Sequence, residues 1–201
     1  MAYSDFTLTD LQTKFGIRHQ RERLYFDAPT IIASEQLLNE LEESTYMPIK
    51  SEKARCEWIV VPILKELRRQ NNKRFTVHSG DILDADKERG LYGECDFILS
   101  KDTKSFEISS PIFQIVEAKR NDLEEGIRQC SAQLLGAKIF NEKKGVVVND
   151  IYGCATTGDD WIFIKLVDNQ IFIDIKKYYL NEINHLLGVF QCIIDYNKNN
   201  I

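Results

Sequence analysis

The run Ile115-Val116-Glu117-Ala118-Lys119 places a carboxylate and an amine two residues apart inside an otherwise apolar stretch. In a β-strand successive side chains point to opposite faces, so Glu117 and Lys119 share one face and Val116 and Ala118 the other. A strand covered on both sides reads as continuous Val, Ile or Leu. Two charges at its end are costly unless they are paired or bind an ion. Upstream, Gly93-Glu94-Cys95-Asp96-Phe97-Ile98-Leu99 carries Asp96 into a second short apolar run. One acid in each of two adjacent strands, with a lysine beside the second, is chemistry for holding a divalent metal next to a phosphodiester.

Mg²⁺ takes hard oxygen ligands and keeps several waters, so two or three carboxylates suffice. Asp96 and Glu117 would give one oxygen each, and the Ala118 carbonyl a third. Lys119 would orient the attacking water, help deprotonate it, or stabilise the transition state; the residue pattern leaves these three roles open. Glu57 lies in the apolar run Cys56–Val61, where a buried carboxylate needs a partner. A metal or Lys119 would serve, and a salt bridge to Arg55 or Arg128 is the structural alternative. Glu52 is the weaker candidate because its surroundings are polar. Gln129 and Gln133, four apart, share one helix face, and Gln133 is expected to be the more buried. Arg128 and the pair Lys119-Arg120 could contact backbone phosphates, although Arg120 points away from Lys119. His78 is expected to be a structural residue at a strand end.

The elements that must position these residues follow from periodicity and punctuation. Leu8–Phe15 and Ser34–Leu41 have helical apolar spacing, Ser34 being an N-cap, and Arg23–Phe26 between them is expected to be extended. Ser51–Arg69 reads as a long helix that Pro62 kinks or breaks. Phe75–His78 begins a strand, and Cys95–Ser100 and Ile112–Ala118 are two more. Asp122–Phe140 is a helix, and Gly145–Val148 and Tyr152–Thr156 form one or two short strands. Trp161–Val167 and Gln170–Ile175 make a hairpin around Asp168-Asn169. Tyr179–Tyr196 closes the chain as an amphipathic helix. The order predicts an α/β architecture: a mixed central sheet flanked by helices, with an N-terminal helical layer and a C-terminal hairpin and helix. No repeat or Pro/Gly/Ser-rich linker divides residues 1–201, which are read as a single domain.

Composition narrows the class. Of 201 residues, 43% are hydrophobic and 28% charged, as in ordinary globular proteins. The longest apolar stretches are too short to span a bilayer, and the start has no secretory pattern, so no membrane partner and a cytoplasmic location are expected. Five cysteines without a C-x-x-C pair and three scattered histidines offer no zinc spacing. A net charge of −5 argues against a protein that coats nucleic acid generically. Lys65–Arg74 and Lys14–Arg23 are nonetheless locally basic, and solvated faces are the plain reading of both.

The element order and the segments Gly-x-x-Asp-Phe and Ile-Val-Glu-Ala-Lys together resemble the PD-(D/E)xK phosphodiesterase superfamily, over roughly Ser51–Thr157. The resemblance implies a restriction-endonuclease-like αβββαβ core. It makes Asp96 the family's Asp, Glu117-Ala118-Lys119 its (D/E)xK element and Glu57 its acid on the first core helix. Gln133 matches a Gln that often reaches the active site of related nucleases. Cys95 stands where the motif has Pro. The activity implied is a Mg²⁺- or Mn²⁺-dependent nuclease, an endo- or exonuclease cleaving DNA. A non-catalytic nucleic-acid-binding or assembly module on the same fold is the alternative. A symmetric homodimer is also expected, through Ile183, Leu186, Leu187, Phe190, Ile193 and Ile194 of the closing helix, with core packing of that helix the competing outcome.

Overall fold

A computed structural model describes residues 2–24 and 26–200, with the backbone alone for Asn199 and Asn200. Tyr25, part of the stretch expected to be extended, lies outside the described residues. The elements run α1 (Leu8–Phe15), β1 (Arg18–Glu22), α2 (Glu35–Ser44), α3 (Glu52–Arg55), α4 (Val61–Gln70), β2 (Thr76–Asp86), β3 (Leu91–Ser100), β4 (Ile112–Ala118), α5 (Leu123–Lys143), β5 (Asp150–Thr156), β6 (Asp160–Val167), β7 (Gln170–Asp174), β8 (Tyr178–Tyr179) and α6 (Ile183–Asn200).

The strands form one mixed sheet in the order β1-β7-β6-β5-β4-β3-β2, with β8 against β6. β2, β3 and β4 are an antiparallel meander, and α5 carries the chain over to β5, which runs parallel to β4. β4 and β5 are buried along their whole length, as central strands covered on both faces must be. On one face lie the apolar side chains of α4 and α6, including Ile63, Leu64, Leu67, Leu186, Leu187 and Phe190. On the other lie those of α1 and α5, including Leu11, Cys130, Leu134 and Ala137. Among the described residues no helix is long and apolar enough to cross a membrane.

Local chemistry explains most boundaries. Thr7 caps α1 by accepting from Asp10 N, and Asp122 caps α5 by accepting from Glu125 N. Pro62 has no N–H to offer the preceding turn, and the helix answers with a π-turn at Cys56–Val60 before α4 resumes. Asp168 takes φ 51° in the tight β6–β7 turn.

Four expectations need correction. Gly145–Val148 is not a strand: α5 ends at Lys143, Gly145 turns the chain at φ 75°, and Val147 is exposed. The final helix starts at Ile183, after β8 and one short turn. The extended segment near the N-terminus is Arg18–Glu22, pairing parallel with β7. Finally, Leu186, Leu187, Phe190, Ile193 and Ile194 of α6 are all buried in the core, with Ile183 packed against it. That apolar stripe is used in core packing within the chain, the competing outcome for this helix.

Candidate active site

Asp96 and Glu117 each stand one residue beyond the pair Phe97–Val116, where β3 and β4 diverge. On the other side of β3, Gly80 takes φ +69° between the pairs Ser79–Phe97 and Asp81–Cys95. Asp96 uses the divergence: its Oδ2 accepts from Ala118 N at 2.7 Å, tying the two acidic segments together.

Glu117 is 1% exposed. Its Oε1 lies 2.9 Å from Lys119 Nζ, and its Oε2 accepts from Gln133 Nε2 of α5 at 2.8 Å. Gln133 is fully buried and also donates to the Glu94 carbonyl at 3.4 Å, while its Oε1 has no partner. Lys119 N donates to Thr156 O at 2.8 Å, extending the β4–β5 ladder. Lys119 Nζ also lies 3.7 Å from Glu52 Oε2, at the open side of the cluster.

Burial, and then the neighbouring Asp96 charge, push the Glu117 carboxyl up to about 7. Burial likewise raises Asp96, against the Ala118 hydrogen bond and Lys119. Burial pulls Lys119 down, but the adjoining Glu117 outweighs it and the net movement is up. With Asp96, Glu117 and Glu52 around one lysine, the cluster carries more negative than positive charge when ionised.

The helix α5 comes close enough because Gly126 faces Lys119. A Cβ there would stand 3.1 Å from Lys119 Cγ and 3.3 Å from Ala155 Cβ. Cys56 also borders the cluster; its thiol is pushed up to about 12 by burial and by Asp96, Glu117 and Glu52.

Asp96, Glu117, Lys119 and Gln133 are therefore gathered, and Glu57 is not. Its carboxylate is exposed, 3.8 Å from Lys53 rather than paired with Arg55 or Arg128. The apolar run around it misled because the helix does not bury it on all sides. Ile59, Val60, Ile63 and Leu64 face the core, whereas Glu57 and Trp58 face solvent. Glu52, on the first turn of α3, occupies the place expected of Glu57. Its polar setting, the reason for its lower sequence ranking, is that of a residue at a cleft mouth.

Arg120 is exposed, as expected, and Gln129 is partly buried. Arg128 lines a cavity of ≈ 320 Å³ with Arg21 and Lys177, beside the first turns of α5. His78 contacts Asp81 Oδ2 through Nδ1 at 3.3 Å and Ser100 Oγ through Nε2 at 3.2 Å. That sequence of groups is a nucleophile–base–acid order, but Ser100 is fully buried. The Ser100 contact fastens β2 to β3 and the Asp81 contact lies within β2, in keeping with a structural histidine. No family model matches the chain, and no curated protein matches it.

Proposed function

We propose that the chain is a metal-dependent phosphodiesterase of the PD-(D/E)xK type that cleaves nucleic acid, with DNA the expected substrate. The observation that carries this reading is the placing of Asp96 and Glu117 in one poorly solvated place, where burial raises both carboxyls and the Asp96 charge raises Glu117 further, with Lys119 bonded to Glu117. On this reading the helix, three-strand meander, helix and parallel strand correspond to the restriction-endonuclease-like core, about residues 51–157.

The donor set suits a hard cation. Among the described residues no three His, Cys, Asp or Glu side chains are gathered closely enough to hold a metal by themselves. Two carboxylates with a main-chain oxygen and water are, however, a normal Mg²⁺ ligand set. Asp96 and Glu117 would hold Mg²⁺ or Mn²⁺ with the Ala118 carbonyl, and the excess negative charge of the cluster is what a cation relieves. The ion would supply charge neutralisation at the scissile phosphate and activation of water. Lys119 would place its ammonium beside the reacting phosphate to orient water or offset developing charge. Gln133 would fix the Glu117 carboxylate. Glu52, at the mouth, would complete the acidic side, and Arg128 with Arg21 and Lys177 would offer contacts to flanking phosphates.

One observation favours a second reading, a non-catalytic nucleic-acid-binding or assembly module. Both Glu117 oxygens already have protein partners, so the cluster holds together without an ion. Cleavage of linear, circular and single-stranded DNA and of RNA, with Mg²⁺ or Mn²⁺, separates the two. The enzyme predicts cleavage that Asp96→Ala and Glu117→Ala abolish. It also predicts a melting temperature raised by millimolar metal in the parent but not in Asp96→Asn. A Glu117→Ala variant that cleaves as well as the parent would sink the enzyme reading.

A further inference from the structure

The cavity of ≈ 320 Å³ beside the first turns of α5 shares a sheet face with the acid–lysine cluster. Gln133 of α5 bonds Glu117 on that face, and the cavity floor, Ile162 and Ile173, packs in the same core layer as α5. The ladder pairs Glu117 with Ala155 and Ala155 with Ile162. The floor therefore begins two strands from Glu117, about 10 Å away at about 4.8 Å per strand. One stretch of α5 borders both places: Gly126 faces Lys119, while Leu123 and Ile127 wall the cavity. Leu8 of α1 is the remaining apolar wall.

Arg128 is the informative wall residue. It is half-buried, and among the described residues it has neither a hydrogen bond nor an ion pair. None of its nitrogens is sealed, so its N–H donors stay open to an incoming group. Arg21, on the outermost strand beside Ile173, is exposed and equally without a partner among the described residues. Lys177 is offset by Asp160 at 3.1 Å. Glu124, the acid on the wall, is exposed and forms no ion pair with Arg128 one turn along α5. A partly buried cation without a counter-charge is costly, and a guanidinium fork matches the geometry of a phosphate. The cavity thus joins two open guanidinium groups to an aliphatic concavity, at the lower end of the size range of ligand sites.

Phosphates of a duplex could reach the arginines, but a duplex keeps its bases stacked and would leave the apolar walls unfilled. An unpaired strand supplies both, since its bases can be splayed out while its phosphates stay on the cations. We propose that the chain takes single-stranded DNA and seats one nucleotide of it in this cavity. The phosphate lies on Arg128 and Arg21, and the base lies against Leu123, Ile127 and Ile162. The strand then runs from the acid–lysine cluster past the first turns of α5 to the cavity. Aliphatic walls read no base edge, so any base fills the seat. The proposal rests on the phosphodiesterase reading for the cleavage and adds the form of nucleic acid that is held.

Fluorescence anisotropy of the full chain without divalent metal tests it, with labelled oligodeoxythymidylate, an abasic strand of equal length and a blunt duplex of the same length as probes. Oligodeoxythymidylate should bind at least tenfold more tightly than the duplex and several-fold more tightly than the abasic strand. Arg128→Ala removes no internal bond, so the fold should persist while oligodeoxythymidylate binding weakens at least tenfold; the exposed change Arg21→Ala should weaken it as well. With Mg²⁺ or Mn²⁺ present, Arg128→Ala should raise KM for single strands and leave kcat within about twofold, the mark of lost uniform binding. A duplex or an abasic strand bound as tightly as oligodeoxythymidylate would overturn the proposal, as would an unchanged affinity in both arginine variants. Tight, Arg128-dependent binding of oligodeoxythymidylate with no cleavage in either metal would support this seat and sink the phosphodiesterase reading instead.

Discussion

Two glutamates in this chain are each 1% exposed, Glu66 and Glu117, and they are treated in opposite ways. Glu66 of α4 accepts from Ser34 N at 3.1 Å, Ser34 Oγ at 2.9 Å and Gln70 Nε2 at 2.6 Å, and it pairs with Arg69. Burial raises its carboxyl, but Arg69 and Ser34 outweigh that and the net movement is down. Glu117 has a lysine and a glutamine, yet Asp96 beside it adds to the burial and its carboxyl rises. The same residue type is a fastener in one place, joining the start of α2 to α4, and a poised group in the other. What separates them is the sign of the nearest uncompensated charge.

The comparison breaks most readily on pH. For Glu66 the folded carboxyl is the stronger acid, so its stabilisation is present above the ordinary glutamate range and is lost as pH falls through its lowered value. For Glu117 the sign reverses. The folded state holds its proton more tightly, so stability is lost as pH rises from 4.5 to about 7. At about 1.4 kcal/mol per pH unit this amounts to roughly 3 kcal/mol. Urea unfolding of the parent and Glu117→Gln across that window, without metal, should show the variant gaining on the parent and becoming the more stable by pH 8. Parallel curves would mean that Glu117 is as well compensated as Glu66.

The next largest effect is on rate. Lys119→Ala removes no carboxylate and should keep Mn²⁺ binding, yet cleavage should fall about 100-fold, the usual scale for a positioned proton-transfer or charge-stabilising group. Lys119→Arg should not restore it, because a guanidinium is bulkier and holds its proton. Unchanged rates in both would make Lys119 a counter-charge only.

Glu66→Ala sharpens the other half of the comparison. It strands Ser34 N and Oγ in a partly buried site and should cost about 2 kcal/mol, read as a lower denaturation midpoint with cleavage unaltered in the folded protein. The smallest effect is that of Gly126→Ala. Helix propensity favours the change by about 0.5–1 kcal/mol, and the close contacts with Lys119 and Ala155 oppose it. Stability should therefore move by less than about 1 kcal/mol while cleavage drops several-fold as Lys119 shifts. Full activity in this variant would show that Lys119 tolerates displacement.

Sequence made the central elements legible because their chemistry is local. β4 and α1 have the bounds expected, and Asp168 takes the turn conformation foreseen for it. The alternation at Glu117 and Lys119 was enough to bring both to one face, with Gln133 above them. What sequence hid was set by long-range context. Every residue of β1 is polar and exposed, so no apolar period marks it and only main-chain pairing with β7 makes it a strand. β2 was seen only at its start, because Asp81, Asp84 and Asp86 interrupt its pattern at the sheet edge. The exchange of Glu57 for Glu52 turned on which face the first helix buries, which depends on the sheet beneath it and on the π-turn that precedes Pro62.

β1 has a kinetic consequence as well. It joins the sheet through the pair Arg18–Gln170, two residues 152 positions apart by their numbers, whereas the β2–β3 and β6–β7 hairpins close over short turns. Contacts between distant segments are slow to form because chain entropy must be given up before they stabilise anything. A strand that also buries no side chain gains little on arrival. β1 is therefore the last strand to dock and the first to open, and in native-state hydrogen exchange its amides lose protection by local opening while those of β4 wait for global unfolding.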